Sequence, residues 1–348
     1  MSNVMDNRCP SCNAPITYKP HLGKFKCDYC DNEYTADQLK TVEDATVSEE
    51  QLNVEYVSYN CPDCGAQIIA DETTSATFCL YCGNSSILKH KLSGEFKPNK
   101  IIPFKKEKSD AVVAFKNLSK GRPFMPRSFN SEANIEKISG LYIPFWLYDF
   151  KVTANVSLNA TKVKSWMTGD IMYTQTDYYD VYREGVFGYN MVPCDGSKKF
   201  ANDIMNTIEP FDYKEMVDYN PAYLSGFLAE RYDVSKDEAF PEARDRVLQS
   251  TEEQVLADCK GYSSRTVNGK ELNATAVDTK YALLPVWMVN VKYNNEYYLF
   301  AMNGQTGEFI GNIPLDKKRV LYGTLAIFGI SFVICTIVYY FLVLSGVL

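Results

Sequence analysis

Hydrophobic and polar positions divide the chain into three kinds of stretch. The longest is apolar throughout: Val320 to Leu348 contains no charged side chain. As a helix rising about 1.5 Å per residue, it outruns a hydrocarbon core of about 30 Å. Only hydroxyls interrupt it, at Thr324, Ser331, Thr336 and Ser345, and these can bond back to helix carbonyls. The second kind alternates. Val152, Ala154, Val156, Leu158 and Ala160 stand between Thr153, Asn155, Ser157 and Asn159, the period of a half-buried strand. The third has helical spacing. Ala111, Ala114, Phe115 and Leu118 follow a cap at Ser109 and stop at Gly121. A short helix is expected from Ser131, carrying Ile135 and Ile138 and closed by Gly140. Ser235-x-x-Glu238 matches a capping box, ahead of a helix expected to begin near Pro241 and reach Cys259.

The remaining pattern is strand-like. Leu141 to Tyr148 leads into the alternating stretch, and Leu283-Leu-Pro-Val-Trp-Met288 repeats its Pro-x-Trp core before Val289 to Tyr293. Either the two are equivalent elements of duplicated half-domains, or proline before an aromatic is a common strand entry. Ile171 to Tyr182 reads as a tyrosine-rich strand pair. Asn294-Asn295 and Asn303 to Glu308 read as turns around a strand from Tyr297 to Met302, with Phe309 to Gly311 following.

The N-terminus carries an internal repeat. Cys9-Pro-Ser-Cys12 is followed after fourteen residues by Cys27-Asp-Tyr-Cys30. Cys61-Pro-Asp-Cys64 is followed, again after fourteen, by Cys79-Leu-Tyr-Cys82, the same frame displaced by 52 positions. A tetrahedral metal needs four thiolates, and two residues between paired cysteines let a tight turn aim both sulfurs inward. A hairpin returns the second pair to the first. Ile16 to Tyr18 and Lys24 to Lys26 would form it around His21 to Gly23. In the second copy, Gln67 to Ile69 and Ser75 to Phe78 would pair around Asp71 to Thr74. The residue after each knuckle wants a left-handed backbone, which suits Gly65 and Gly83 and, next best, Asn13 and Asp31. Two closed, structural four-thiolate zinc sites are expected, supplying folding energy that about 35 residues cannot find in a core. Iron fits the same thiolates, although the short hairpin frame favours zinc.

Charge narrows the partners. Lys317, Lys318 and Arg319 precede the apolar run and no positive charge follows it, so the head is expected in the cytoplasm. Residues 1–10 lack the apolar core of a secretory signal, in keeping with a cytoplasmic head. Disulfides are disfavoured there. The chain has a net charge of −7. Its first 94 residues hold thirteen acids against seven Lys/Arg, and each thiolate-bound zinc adds negative charge. Nucleic-acid binding, driven by clustered cations, is disfavoured; protein binding is expected. The 25 tyrosines, within a 14% aromatic content, favour folded cores over disorder. The only histidines, His21 and His90, lie in or beside the cysteine repeats, and no phosphate-binding loop, Gly-x-Ser-x-Gly or His-Glu-x-x-His is present. Cys194 and Cys259 stand alone, and Cys335 lies in the apolar run. No catalytic function is expected.

The two Cys-x-x-Cys ribbons, Gly140-Leu-Tyr-Ile-Pro-Phe-Trp146, Ile208-Glu-Pro-Phe211, Tyr223-Leu-Ser-Gly-Phe227 with Ala229-Glu230, and the Asn303-Gly-x-Thr-Gly307 turn together resemble a known bacterial family. These are membrane-anchored proteins with TFIIB-type zinc ribbons, of the YdjG-like type encoded beside phage-shock protein A homologues. The resemblance spans essentially the whole chain. It implies an adaptor at the cytoplasmic membrane that recruits phage-shock-protein-A-like or flotillin-like partners in envelope stress. Family members also carry helicase labels through their ribbons, but the chain has no Walker motif. The expected architecture is α+β and mainly antiparallel. Ribbon 1 covers 1–40, an acidic linker 41–53, ribbon 2 54–92, an α+β domain 93–316, and a single-pass anchor in membrane lipid 320–348. The alternative function is a membrane-tethered nucleic-acid-binding or transcription-related protein.

Overall fold

The computed structural model describes residues 4–5, 8–39, 56–60, 67–71, 74–78, 85–88, 96–118, 120–126, 138–199, 202–294, 296–311 and 313–344. The fold is α+β and its sheets are mostly antiparallel. In chain order the strands are β1 (Val4–Met5), β2 (Ile16–Lys19), β3 (Lys24–Cys27), β4 (Glu33–Tyr34), β5 (Tyr56–Asn60), β6 (Gln67–Asp71), β7 (Thr74–Phe78) and β8 (Ser85–Leu88). Then come β9 (Lys100–Ile101), β10 (Ser139–Thr168), β11 (Ile171–Asp195), β12 (Val217–Asp218), β13 (Leu228–Glu230), β14 (Ser264–Tyr293), β15 (Glu296–Asn303) and β16 (Phe309–Gly311). Four α-helices are described: α1 (Lys108–Asn117), α2 (Asn202–Thr207), α3 (Lys236–Asp258) and α4 (Lys317–Leu344).

One large sheet runs β1-β8-β7-β13-β10-β14-β15-β16, with β11 beside β10 and β9 beside β14. Its centre is the antiparallel pairing of β10 with β14, from Ser139 opposite Met288 to Thr161 opposite Ser264. From Leu141 to Tyr148 every residue of β10 is buried, because both faces are covered. Tyr142, Trp146 and Tyr148 face one core with Phe104, Phe115 and the α3 residues Ala239, Ala243 and Val247. Ile143, Phe145 and Leu147 face another with Met205, Ile208 and Phe211. Farther along, the predicted alternation holds: Val152, Ala154, Val156, Leu158 and Ala160 are buried, the last four against Val255 and Cys259.

The two Pro-x-Trp strands are equivalent elements. They pair with each other about the Ile143–Leu284 pair, with Pro144 opposite Leu283 and Pro285 opposite Tyr142. Each runs on into a hairpin partner, β11 or β15. Each is flanked by a short parallel strand from the other half: β13 at Leu141–Tyr142, β9 at Ala282–Leu283. The Trp146 indole donates to Val234 O and the Trp287 indole to Lys106 O, both at 2.9 Å. Directly after those acceptors, Ser235 caps α3 and Glu107 caps α1. Gly196 N–H bonds Pro144 O at 2.9 Å, and Gly304 N–H bonds Pro285 O at 2.8 Å. The duplication reading therefore wins over the common-entry reading.

Several boundaries differ from expectation. Helix α1 begins at Lys108 because Glu107, rather than Ser109, is the cap, its N–H bonded to the Asp110 carboxylate at 2.9 Å. Helix α3 begins at Lys236, not near Pro241: the Ser235–Glu238 capping box fixes the start and the proline is accommodated inside. Ile171 to Tyr182 is no strand pair but the first half of one strand returning along β10, after a tight turn in which Gly169 takes a φ of +62°. Gly140 closes no helix; it lies in β10, and the rest of that expected helix falls mainly outside the described residues. In the second cysteine repeat, β6 pairs with β5, and β7 pairs with β8 and with β13, in place of the expected pairing between Gln67–Ile69 and Ser75–Phe78.

One buried difference between the halves carries a charge: Asp195 stands where the other half has Asn303. Asp195 Oδ1 accepts the Ser197 N–H at 3.0 Å, as Asn303 Oδ1 accepts the Gln305 N–H at 2.9 Å. Asn303 Nδ2 then donates to Ile208 O and Pro210 O, whereas buried Asp195 Oδ2 has no partner among the described residues. Burial raises the Asp195 carboxyl to about 7; Asp233 and Glu242 add to this, against the Ser197 N–H. A carboxyl raised on folding binds its proton more tightly in the native state. Stability should therefore fall as pH rises from the ordinary carboxylate range through about 7, by at most about 4 kcal/mol. In Asp195→Asn this slope should be lost and the protein should be more stable at pH 8, read by thermal melts between pH 5 and 8.

Candidate metal centre

The site begins with the local backbone of the first cysteine repeat. Cys9 O accepts the Asn13 N–H at 2.8 Å and Cys27 O accepts the Asp31 N–H at 2.9 Å, closing two matched knuckles. Asn13 and Asp31 take φ of +61° and +59°, the left-handed turn expected of them. Strands β2 and β3 pair from Ile16 opposite Cys27 to Lys19 opposite Lys24, with Gly23 at φ +63° in the turn. The hairpin thus brings the second knuckle back to the first. A third strand, β4, pairs with β3 and was not foreseen.

The four sulfurs of Cys9, Cys12, Cys27 and Cys30 all lie within 4.8 Å of one another. Cys9 to Cys30 and Cys12 to Cys27 are each 3.5 Å apart, and no cysteine is in a disulfide among the described residues. Thiolates about 2.3 Å from one tetrahedral ion stand about 3.8 Å apart, so the quartet fits a single metal ion. The N–H groups of Ser11 and Cys12 point at Cys9, that of Ala14 at Cys12, and that of Asn32 at Cys30. The Tyr34 hydroxyl lies 3.3 Å from Cys9 Sγ and 2.7 Å from Ser11 Oγ, and braces the first knuckle.

These thiols do not ionise alike. Burial opposes ionisation of Cys9, but the Tyr34 hydroxyl, the Cys12 and Ser11 N–H groups and the Cys30 thiol pull it down to about 6. The Ala14 N–H favours the Cys12 thiolate, yet burial and the neighbouring thiols push it up to about 12. One thiolate forms readily and makes the next costly. A bound cation removes that penalty, which is the chemistry of a closed structural site. With four protein ligands no position is open for substrate.

Ribbon 1 is docked on the large domain. Tyr18 and Phe25 pack on each other and on Tyr223, with ring centroids 5.2–5.3 Å apart. Tyr18 N–H bonds Ser225 O at 3.2 Å, and His21 at the hairpin turn meets the Glu107 carboxylate. Neither Tyr34 nor Tyr223 was foreseen as part of this assembly; only the density of tyrosine hinted at them. Cys61, Cys64, Cys79 and Cys82 lie outside the described residues, as do Gly65 and Gly83.

No catalytic grouping appears among the other residues noted in sequence. Cys194 is buried, its thiol pushed up to about 12 by burial and donating to Ala239 O. Cys259 is buried too. Glu209 holds Arg246, Glu230 holds Lys199, and Asp212 accepts the Lys214 N–H, each about 3.0 Å away. Cys335 sits on α4, the one helix among the described residues long and apolar enough to cross a membrane.

Cys12→Ser should lose one metal equivalent per chain by elemental analysis and expose ribbon 1 to proteolysis. Tyr223→Ala should keep the metal but destabilise the docked ribbon by about 2 kcal/mol, read by thermal melts.

No family profile and no solved structure matches the chain significantly. A curated relative does: over 317 residues, covering 91% of this chain and 92% of the relative, it is 32% identical to the uncharacterized protein YdjG of Bacillus subtilis (strain 168). At that identity, and with nine-tenths of both chains covered, the chain belongs to the YdjG family.

Proposed function

We propose that this protein is a non-enzymatic adaptor, held at the cytoplasmic membrane by α4 with its head in the cytoplasm, whose zinc ribbons bind other proteins. Zinc would occupy Cys9, Cys12, Cys27 and Cys30, and a second ion Cys61, Cys64, Cys79 and Cys82. The observation that carries this reading is the way ribbon 1 is used. Its hairpin is spent on docking to Tyr223 and Ser225, which leaves the knuckles facing solvent. Tyr29 is 82% exposed there, beside exposed Pro10, Asp28 and Asp31. An exposed aromatic on a rigid, metal-held turn is a suitable protein-binding anchor.

The same ribbon offers little to a phosphate backbone. Lys19 pairs with Asp28, Lys24 with Glu33 and Lys26 with Asp31, at 3.0–3.1 Å. Lys24 and Lys26, which flank Phe25 in sequence, are thus each neutralised within the repeat, and Phe25 itself is buried. That favours protein partners over nucleic acid. The charge of Lys317, Lys318 and Arg319 supports the inward orientation. Phage-shock-protein-A-like or flotillin-like partners and a role in envelope stress follow from the resemblance drawn above.

Crosslinking and affinity isolation of the full-length protein from membranes, with protein and nucleic acid both quantified, tests this. Protein partners should be recovered without nucleic acid, and Tyr29→Ala or the paired change Cys61→Ser, Cys64→Ser should lose them while the chain stays in the membrane. Salt-sensitive recovery of nucleic acid, or unchanged partners in both variants, contradicts it.

A further inference from the structure

We propose that the tip of the β10–β11 hairpin enters the surface of the bilayer, as a second membrane contact besides α4. The inference rests on α4 being a membrane anchor. Strand β14 accompanies β10 only as far as Thr161, opposite Ser264. Beyond it, among the described residues, the hairpin continues as two strands alone, with Trp166 opposite Tyr173, Met167 opposite Met172 and Thr168 opposite Ile171. An isolated two-stranded ribbon is marginal in water, and large apolar side chains on it call for cover.

The cover must surround it. Opposed residues share a face and successive ones alternate. Trp166, Tyr173 and Ile171 therefore lie on one face, the two rings stacked at 5.8 Å, while Met167 and Met172 lie on the other. Met167, Met172 and Ile171 are 66%, 68% and 59% exposed. A groove on a folded partner covers one face of a ribbon; lipid covers both. The order of residues along the arm also matches a membrane interface: apolar side chains at the end, an aromatic pair behind them, then Lys164 and Lys162. From Lys164 to Met167 is about 10 Å of strand, the depth of an interfacial insertion. Asp170 in the turn keeps the insertion shallow, since a carboxylate at the bilayer centre costs about 3 kcal/mol.

The two contacts are far apart. Phe309 pairs with Met302, Met302 with Trp287 and Trp287 with Gly140, so the chain leaves the sheet for α4 level with Gly140. The tip stands about 90 Å along the strand direction from that level. The ladder carries bulges at Asp149/Phe150 and Ser157/Leu158, where strands bend, and contact at both points requires the arm to turn its tip down into the bilayer, which fixes how the head faces the cytoplasm.

Tryptophan fluorescence reads this directly. Of the three tryptophans, Trp146 and Trp287 are only 8% and 7% exposed in the head, and α4 has none. Full-length protein is reconstituted into phosphatidylethanolamine–phosphatidylglycerol vesicles with plain or brominated acyl chains. Bromolipid should remove about half or more of the Trp166 emission, as expected for an indole at the interface. The loss should vanish in Trp166→Phe, and in Met167→Asp with Met172→Asp, while all variants still float with the vesicles. Flotation without quenching overturns the tip contact alone, as does Trp166 emission that shifts with protein-to-lipid ratio and not with bromine, the mark of a second copy. Failure of the wild type to float overturns the anchor reading on which this one rests.

Discussion

The head depends on one ladder, the antiparallel pairing of Gly140–Trp146 with Tyr281–Trp287. Both strands are buried on both faces there, so each residue contributes to one of two cores. Such a pair cannot slip by one residue without exchanging the side chains that face those cores. Three kinds of element attach to it in duplicate: a hairpin strand, a parallel strand from the other half, and an indole bonded to the chain just before a helix cap. Ribbon 1 docks against this body on Tyr223 and Ser225, and β7, from the second cysteine repeat, joins the large sheet at Ala229. The metal quartet is therefore held relative to the sheet by packing, not by a free linker.

A cation held by the four thiolates and the packing on the large domain would divide the work in the first cysteine repeat. Its own core is small: Ile16, Tyr18, Phe25 and Leu39 are its buried apolar side chains among the described residues. A ribbon of this size needs a further source of stability, and the four-thiolate set supplies one when a cation is bound. The docked aromatic cluster supplies another. The first closes the knuckles and the second orients them.

Much of this was legible in sequence because the governing interactions are local. Repeated Cys-x-x-Cys spacing located the quartet, and Asn13 and Asp31 announced left-handed turns that the backbone takes. The alternation from Val152 to Ala160 named its buried face correctly. What was hidden depends on distant partners. Leu141 to Tyr148 shows no period because both faces are covered. Ile171 to Tyr182 looked like two strands because its polar positions interrupt it, while the Gly169 turn that sends the whole segment back along β10 is marked by one residue. Tyr34 and Tyr223 carry no local motif at all; they matter only once the chain has brought them to Cys9 and Phe25. The duplication lay between. Pro-x-Trp suggested it, but the paired hydrogen bonds from Gly196 and Gly304 were needed to decide it.

The proposed role of the head requires a closed, thiolate-bound metal at Cys9, Cys12, Cys27 and Cys30. X-ray absorption at the zinc edge, on full-length protein purified without added metal, reads that environment directly. Four sulfur ligands at about 2.3 Å are the predicted result. Oxygen or nitrogen ligands in the first coordination sphere, or folded protein free of metal, would contradict it.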